Sequence, residues 1–339
     1  MNDEEKFVIE TAPEPIEEKP ATRFPVVAQL SILLLILGGI FAGVIIPKTM
    51  TALNHEEVPP IKNVATLTPP TQENKVLQKI DVVDIQAQAA FVWDVKEQRV
   101  LYQKNADEKL ALASITKLMT ALLAYELLDD DEYVTVGTVA ASQESGGNLN
   151  EGEVFNIRDL ADFALVSSYN SAAYAIANSV GAKLGDGDAV AQFVTAMNLR
   201  AKELGFTDLS YLNPTGLDLS AGEAGAYGTA RDVSFLMEYI LTNYPAILAP
   251  TISDHAKIYN LAGEYHEAKN TNNIVDEIPN LIGSKTGYTD LAGGNLTVAL
   301  DIGFAHPVVI TVLGSTISER FSDVQKLIEA VQGTVVKSE

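Results

Sequence analysis

The chain has 339 residues, with 23 Lys+Arg against 45 Asp+Glu for a formal charge of −22, and no Cys. So acidic a balance argues against nucleic acid as a partner, because a polyanion demands a basic face. The missing thiols exclude disulfides, thiolate metal sites and a cysteine nucleophile, and 47% hydrophobic residues are too many for a globally disordered chain.

Residues 1–24 hold seven acids and three bases and are interrupted by Pro13, Pro15 and Pro20. That composition predicts a disordered acidic tail. No charge then appears between Arg23 and Lys48, and 26–46 is a run of 21 residues whose clearly polar side chains are Gln29 and Ser31. At ~1.5 Å per residue such a run covers about 30 Å, the depth of a bilayer core, so 25–46 is expected to form a transmembrane helix. A cleaved signal peptide is the competing reading. Against it stand the length of the run, the long preceding tail and the lack of an A-x-A site. Lys6, Lys19 and Arg23 before the span outnumber Lys48 and Lys62 after it, which puts the tail in the cytoplasm and the rest of the chain outside. Residues 47–79, with Pro47, Pro59, Pro60, Pro69 and Pro70, read as an extended stalk. Residues 80–339 remain as the soluble domain.

Within that domain, 89–95 and 99–103 have the pattern of a hairpin. Helical patterns follow at 118–128, 157–166, 171–180, 189–204 and 229–241. Strand patterns return at 256–261, 265–269, 281–289, 295–302 and 307–313, and an amphipathic helix closes the domain at 319–331. Tight turns between the late strands predict a mainly antiparallel sheet, an α/β protein of the α+β type. The four histidines are scattered without ligand spacing, read as ordinary surface or loop residues. No metal or cofactor is expected.

Three short motifs carry chemistry. Ser114-Ile115-Thr116-Lys117 places a hydroxyl and an amine one helical turn apart, on one face. A hydroxyl needs an adjacent base to act as a nucleophile, and the amine serves only if its pKa is depressed. The run after Ser114 is too apolar for a surface helix. Ser168-Tyr169-Asn170 falls at the joint of two helical patterns, where polar groups can face a cleft or merely cap a helix. Lys285-Thr286-Gly287 lies in a strand pattern, followed by Tyr288. There a glycine weakens the strand unless something, such as a substrate along the edge, must approach the backbone.

The order of these motifs, with the blocks LASITKLMTALLA (112–124), IRDLADFALVSSYNSAA (157–173), YLNPTGLD (211–218) and GSKTGYTDLAGGNL (283–296), resembles the D-alanyl-D-alanine carboxypeptidases, the low-molecular-mass penicillin-binding proteins. The resemblance covers 85–332. It implies a β-lactamase/transpeptidase-like fold, an antiparallel sheet flanked by helices with a helical subdomain. It also implies serine D,D-carboxypeptidase action on peptidoglycan stem peptides, with β-lactams as covalent inhibitors. By motif, Ser114 is the acylated nucleophile and Lys117 its base. Ser168 and Asn170 form the facing wall, with Ser168 helping a proton to the leaving amine. Lys285 and Thr286 take the substrate carboxylate, and the N–H groups of Ser114 and Tyr288 form an oxyanion hole.

Tyr169 stands where the family usually has Gly, Ser171 where Asp is frequent and Thr215 where His is usual. Tyr169 is expected to narrow the cleft or stack against it. Many relatives continue into a β-rich domain and a C-terminal amphipathic anchor. Here the N-terminal span is expected to do the anchoring. A β-lactamase would need a carboxylate in a Glu-x-x-Leu-Asn stretch, and the corresponding 208–213 reads DLSYLN. A non-catalytic scaffold would need neither Ser114 nor Lys117. A D,D-endopeptidase acting on cross-links fits the same residues.

Overall fold

The structure, a computed structural model, describes residues 79–336 apart from 81 and 304. The acidic tail, the apolar run and all but the last residue of the stalk lie outside the described residues. Among the described residues no helix is long and apolar enough to cross a membrane.

Five antiparallel strands form the main sheet. β1 (Ala89–Asp94) and β2 (Arg99–Lys104) make the N-terminal hairpin. β10 (Leu281–Thr289), β11 (Gly293–Asp301) and β12 (Pro307–Ser315) make a C-terminal meander. β12 pairs with β1, so the order is β10-β11-β12-β1-β2 and β10 is an edge strand. Alternation along the strands sorts side chains onto two faces. Ala90, Val92, Val298, Ile310 and Val312 face one core, with Val324, Leu327 and Val331 of the C-terminal helix (Glu319–Val336). Phe91, Trp93, Val309 and Leu313 face the other, with Leu236 and Met237 of the helix Ala230–Asn243. Burial on both faces explains why these strands read as near-continuous apolar runs.

Between the two halves of the sheet the chain builds a helical block. In order, its helices are α1 (Lys117–Leu127), α2 (Thr138–Ala141), α3 (Ile157–Val166), α4 (Asn170–Leu184) and α5 (Ala189–Glu203). The two helices that cover the sheet then become α6 and α7. α1 is buried from Lys117 to Ala124, as its lack of a polar face requires. α3 begins where Asn156 caps it, its side-chain oxygen accepting from the Arg158 N–H at 2.8 Å. Two short pairings frame the block: β4 (Tyr133–Thr135) with β5 (Val154–Asn156), and β8 (His255–Tyr259) with β9 (Tyr265–Lys269). A small sheet of β3 (Leu110–Ala111), β7 (Ala226–Gly228) and β6 (Ser210–Tyr211) leads the chain into the Ser114 turn.

Two histidines differ from the surface reading. His266 and His306 are largely buried and bound to carboxylates, His266 Nε2 at 2.7 Å from Glu153 Oε1 and His306 Nε2 at 2.6 Å from Asp94 Oδ1. Each bridges separate segments, which isolated positions in a sequence do not reveal.

Gly181 lies inside α4, where a Cβ would sit 1.7 Å from the Ala189 carbonyl oxygen at the start of α5. Helix propensity alone would make Gly181→Ala stabilising by about 1 kcal/mol. The obstacle here is backbone, so the helices must separate, and overpacking of this kind costs about 1–3 kcal/mol or more. Gly181→Ala is therefore expected to lower the urea midpoint. A raised midpoint would show that the α4–α5 contact yields freely.

Candidate active site

The sharpest feature of the site is the turn that carries Ser114. Ala113–Thr116 forms one 3-10 turn, and α1 starts at Lys117. In 3-10 geometry residues i and i+3 eclipse, which brings Lys117 Nζ to 2.8 Å from Ser114 Oγ. Ala113, just before Ser114, has a left-handed φ of 48°, a conformation costing about 1–3 kcal/mol for a residue with a Cβ. Surrounding contacts hold it. Asn295 Nδ2 donates to the carbonyls of Ala111 (2.9 Å) and Leu112 (3.1 Å). Gly216 lies so close that a Cβ there would be 1.9 Å from the Ala113 oxygen.

Lys117 is fully buried while Ser114 is half-exposed. Its nitrogen has two further partners, Asn170 Oδ1 at 2.7 Å and the Thr215 carbonyl at 2.9 Å. Burial lowers its pKa from 10.5 to about 7. The two carbonyl-type oxygens can only accept, so they occupy the two N–H bonds of the neutral amine. The lone pair is left for the Ser114 hydroxyl.

The facing wall is the α3–α4 joint. Ser168 has a left-handed φ of 60°, and Asn170 opens α4. From the other side β10 supplies Lys285, whose Nζ donates to Ser168 Oγ at 2.9 Å and to the Thr286 carbonyl at 2.8 Å. Lys285 is buried, and desolvation, then the charges of Lys117 and Arg320, hold its pKa well below the usual ammonium range. The Thr286 hydroxyl shares a 2.6 Å hydrogen bond with Thr271. Tyr288 is exposed at the end of this row. The structure thus forms two adjoining hydrogen-bonded groups, Ser114–Lys117–Asn170 and Ser168–Lys285–Thr286, joined through the Ser168–Asn170 segment and through the charge of Lys117 acting on Lys285, with Gly287 beside the Ser114 turn.

The structure adds detail at three positions. A Cβ at Gly287 would meet the Leu112 oxygen at 2.8 Å and the Ile115 nitrogen at 3.2 Å, so one close approach to this glycine is by the Ser114 turn itself. Tyr169 stacks on Phe163 (centroids 5.7 Å, 14°) inside the helical block rather than on the cleft. Thr215 contributes its carbonyl, while its hydroxyl bonds to Asn213 Oδ1 at 3.0 Å.

Several supporting residues carry no isolated signal in the sequence. Arg320 of α7 donates to the Gly287 carbonyl at 2.7 Å, and burial lowers its pKa to about 10. Thr271, Asn295 and the Glu144 carbonyl arrive from distant segments. Asn213 was readable, since its side chain accepts from the N–H groups of Thr215 (3.1 Å) and Gly216 (2.7 Å), the turn that Asn-Pro-Thr-Gly favours.

Known proteins resemble this chain in sequence and in fold. The family model described as D-alanyl-D-alanine carboxypeptidase matches residues 73–316. D-alanyl-D-alanine carboxypeptidase DacF of Bacillus subtilis is 31% identical over 250 residues, 72% of this chain and 61% of that protein. The chain thus spans about three fifths of that relative's length. A D-alanyl-D-alanine endopeptidase of Pseudomonas aeruginosa is 30% identical over 75% of this chain and 78% of its own. Among solved structures, a mutant of a Streptomyces DD-transpeptidase superposes with a TM-score of 0.67 at 26% identity, covering 74% of this chain and 100% of that one. A Listeria monocytogenes penicillin-binding protein with ampicillin bound gives 0.61 at 28% identity, covering 74% and 99%. With the motifs gathered around two buried amines, Lys117 and Lys285, and a family model matching most of its length, the chain belongs to the D-alanyl-D-alanine carboxypeptidase family.

Proposed function

We propose that the protein is a serine D,D-carboxypeptidase that removes the terminal D-Ala of peptidoglycan stem peptides through an acyl-enzyme on Ser114. The observation that carries this reading is the amine of Lys117, 2.8 Å from Ser114 Oγ, with its pKa lowered to about 7 and its other two positions taken by carbonyl oxygens.

The steps follow from the residues. Lys285 and Thr286 hold the terminal carboxylate, whose charge favours the ammonium form of Lys285 against its burial and the nearby Arg320. Lys117 takes the Ser114 proton as the oxygen attacks the penultimate D-Ala carbonyl. The N–H groups of Ser114 and Tyr288 receive the oxyanion, the kind of fixed donors that contribute most to such reactions. Ser168, bonded to Lys285, relays to the departing amine the proton that Lys117 took, which leaves Lys117 neutral again. The acyl bond to Ser114 is then hydrolysed by water, which regenerates the hydroxyl. A β-lactam enters by the same attack and leaves its opened ring on Ser114. The expected transmembrane span at 25–46 would tether this domain outside the cytoplasm, beside its substrate.

Relatives named as endopeptidases match as extensively as carboxypeptidases, which supports cleavage of D,D cross-links as a second reading for the same cluster. One experiment separates these readings. Fluorescent penicillin should label the wild type and fail to label Ser114→Ala. Enzyme not treated with penicillin should release free D-Ala from a pentapeptide. Conversion of cross-linked muropeptide dimers to monomers, without D-Ala release, would favour the endopeptidase. An unlabelled wild type would end both.

A further inference from the structure

We propose that Tyr169 is a positioning residue: its ring props the loop 143–148 against the start of α4, so that Asn170 turns its side-chain oxygen, and not its amide nitrogen, toward Lys117. This rests on the reading of Ser114 as the acylated nucleophile.

The ring is clamped on two sides. It stacks on Phe163 of α3, and it lies beneath Gly147, where a Cβ would be 2.3 Å from Tyr169 Cε2 and 2.5 Å from Cζ. Gly147 has a φ of 76° and Ser145 a φ of 50°, left-handed turns that fold the loop down onto the ring. Three successive carbonyls of this loop then meet the first residues of α4. Ser145 O accepts from the Asn170 N–H at 3.3 Å, Gly146 O from the Ser171 hydroxyl, and Glu144 O from Asn170 Nδ2 at 2.6 Å.

The last of these decides the chemistry. A side-chain amide has an accepting end and a donating end. With Glu144 O holding the nitrogen, the oxygen faces Lys117 at 2.7 Å and accepts one of its N–H bonds. If the loop lifts, the nitrogen loses its acceptor and the amide can rotate. It would then direct N–H groups at the amine, compete with the Ser114 hydroxyl for the lone pair and repel the ammonium form. A ring fills the space under Gly147, and the glycine usual at this position in the family would leave it empty.

The pH dependence of the step reports this orientation. Burial is the cause that lowers the Lys117 pKa; the charged group coupled to it is Lys285 from β10, on which Arg320 from α7 also acts. From α4 and the 213–216 turn Lys117 meets neutral oxygens, those of Asn170 and Thr215. Losing the Asn170 oxygen removes a partner of the ammonium and lets Lys117 lose its proton at lower pH.

The test is the rate of acylation by fluorescent penicillin as a function of pH, measured on the full chain. Tyr169→Gly is expected to lower the plateau about tenfold and to move the midpoint of the acid limb down by about half a pH unit or more. Tyr169→Phe keeps the ring and should retain both wild-type values. An unchanged plateau overturns the proposal. So does a plateau that falls while the midpoint stays put, which is the mark of a purely structural defect. Should Tyr169→Gly fail to fold, Gly147→Ala presses on the same contact from the loop side without removing the Phe163 stack, and the same outcomes apply to it. A labelled wild type with unmoved variants removes only the role of Tyr169. An unlabelled wild type removes the acyl-enzyme reading and this role with it.

Discussion

Lys117→Met is expected to lower acylation of Ser114 by about 10³-fold or more while leaving the protein folded at pH 7. General-base assistance is worth about 10²–10⁴-fold, and a nucleophile that loses its base retains little of what the pair achieves together. Two opposing terms set the stability. Deleting the buried amine leaves Asn170 Oδ1 and the Thr215 carbonyl without their donor, at about 1–3 kcal/mol each. Against this, the amine is held near pKa 7 instead of 10.5, which at ~1.4 kcal/mol per unit means a desolvation cost on the order of 5 kcal/mol. The terms offset, so methionine of similar shape should be tolerated.

The sign of the pH dependence follows. The folded pKa of Lys117 lies below its unfolded value, so between pH 7 and 10.5 the unfolded chain binds more protons. The desolvation cost is present in full below about 7 and is relieved as pH rises toward 10.5. Wild-type stability should therefore climb with pH across this window more steeply than that of Lys117→Met. Lys285 is depressed in the same direction, in part by the charge of Lys117, so the difference reports Lys117 together with its effect on Lys285. Wild-type acylation should rise through about pH 7, as the amine becomes free to accept a proton. Equal slopes in urea unfolding, or an acid limb near pH 10, would mean that Lys117 is an ordinary ammonium and not the base.

What the sequence conveyed of this site depended on how local each contact is. The i, i+3 spacing of Ser114 and Lys117 was legible because one turn brings them together, and the apolar run behind them announced burial. α3 and β9 begin and end where their patterns do, at Ile157–Val166 and Tyr265–Lys269, because a cap or an alternation marks their ends. The small sheet of β3, β6 and β7 was not legible. Strands of two or three residues offer no period to detect, and their pairing is settled by tertiary contact. Yet this sheet aims the nucleophile, since the Leu112 N–H donates to the Ala226 carbonyl at 3.0 Å. Gly287 shows the same limit in another form. A glycine in a strand signals that something comes close, but its sequence neighbours do not say what. Here the partner is the turn some 170 residues earlier in the same chain.

That contact supplies the other large effect. Gly287→Ala is expected to reduce acylation by roughly 10–10²-fold and to destabilise the fold by about 1–3 kcal/mol. The added methyl would lie 2.8 Å from the Leu112 oxygen, 3.2 Å from Ala113 Cβ and 3.2 Å from the Ile115 nitrogen. Neither side of the contact gives easily. The turn is fixed by Asn295 and by Gly216 against Ala113, and β10 is tied from behind by Arg320 on the Gly287 carbonyl at 2.7 Å. The strain is then shared as a shift of the edge strand away from Ser114. Lys285, Thr286 and the Tyr288 N–H move with that strand, so both the proposed carboxylate grip and the proposed oxyanion donor lose register with Ser114 at once. Gly222→Ala, at a glycine with nothing within 4 Å of an added Cβ, serves as the matched control and should behave as wild type in both measurements. Penicillin acylation rates and urea unfolding on the two variants decide the matter. If Gly287→Ala is acylated as fast as Gly222→Ala, the spacing between strand and turn does not set the reaction geometry.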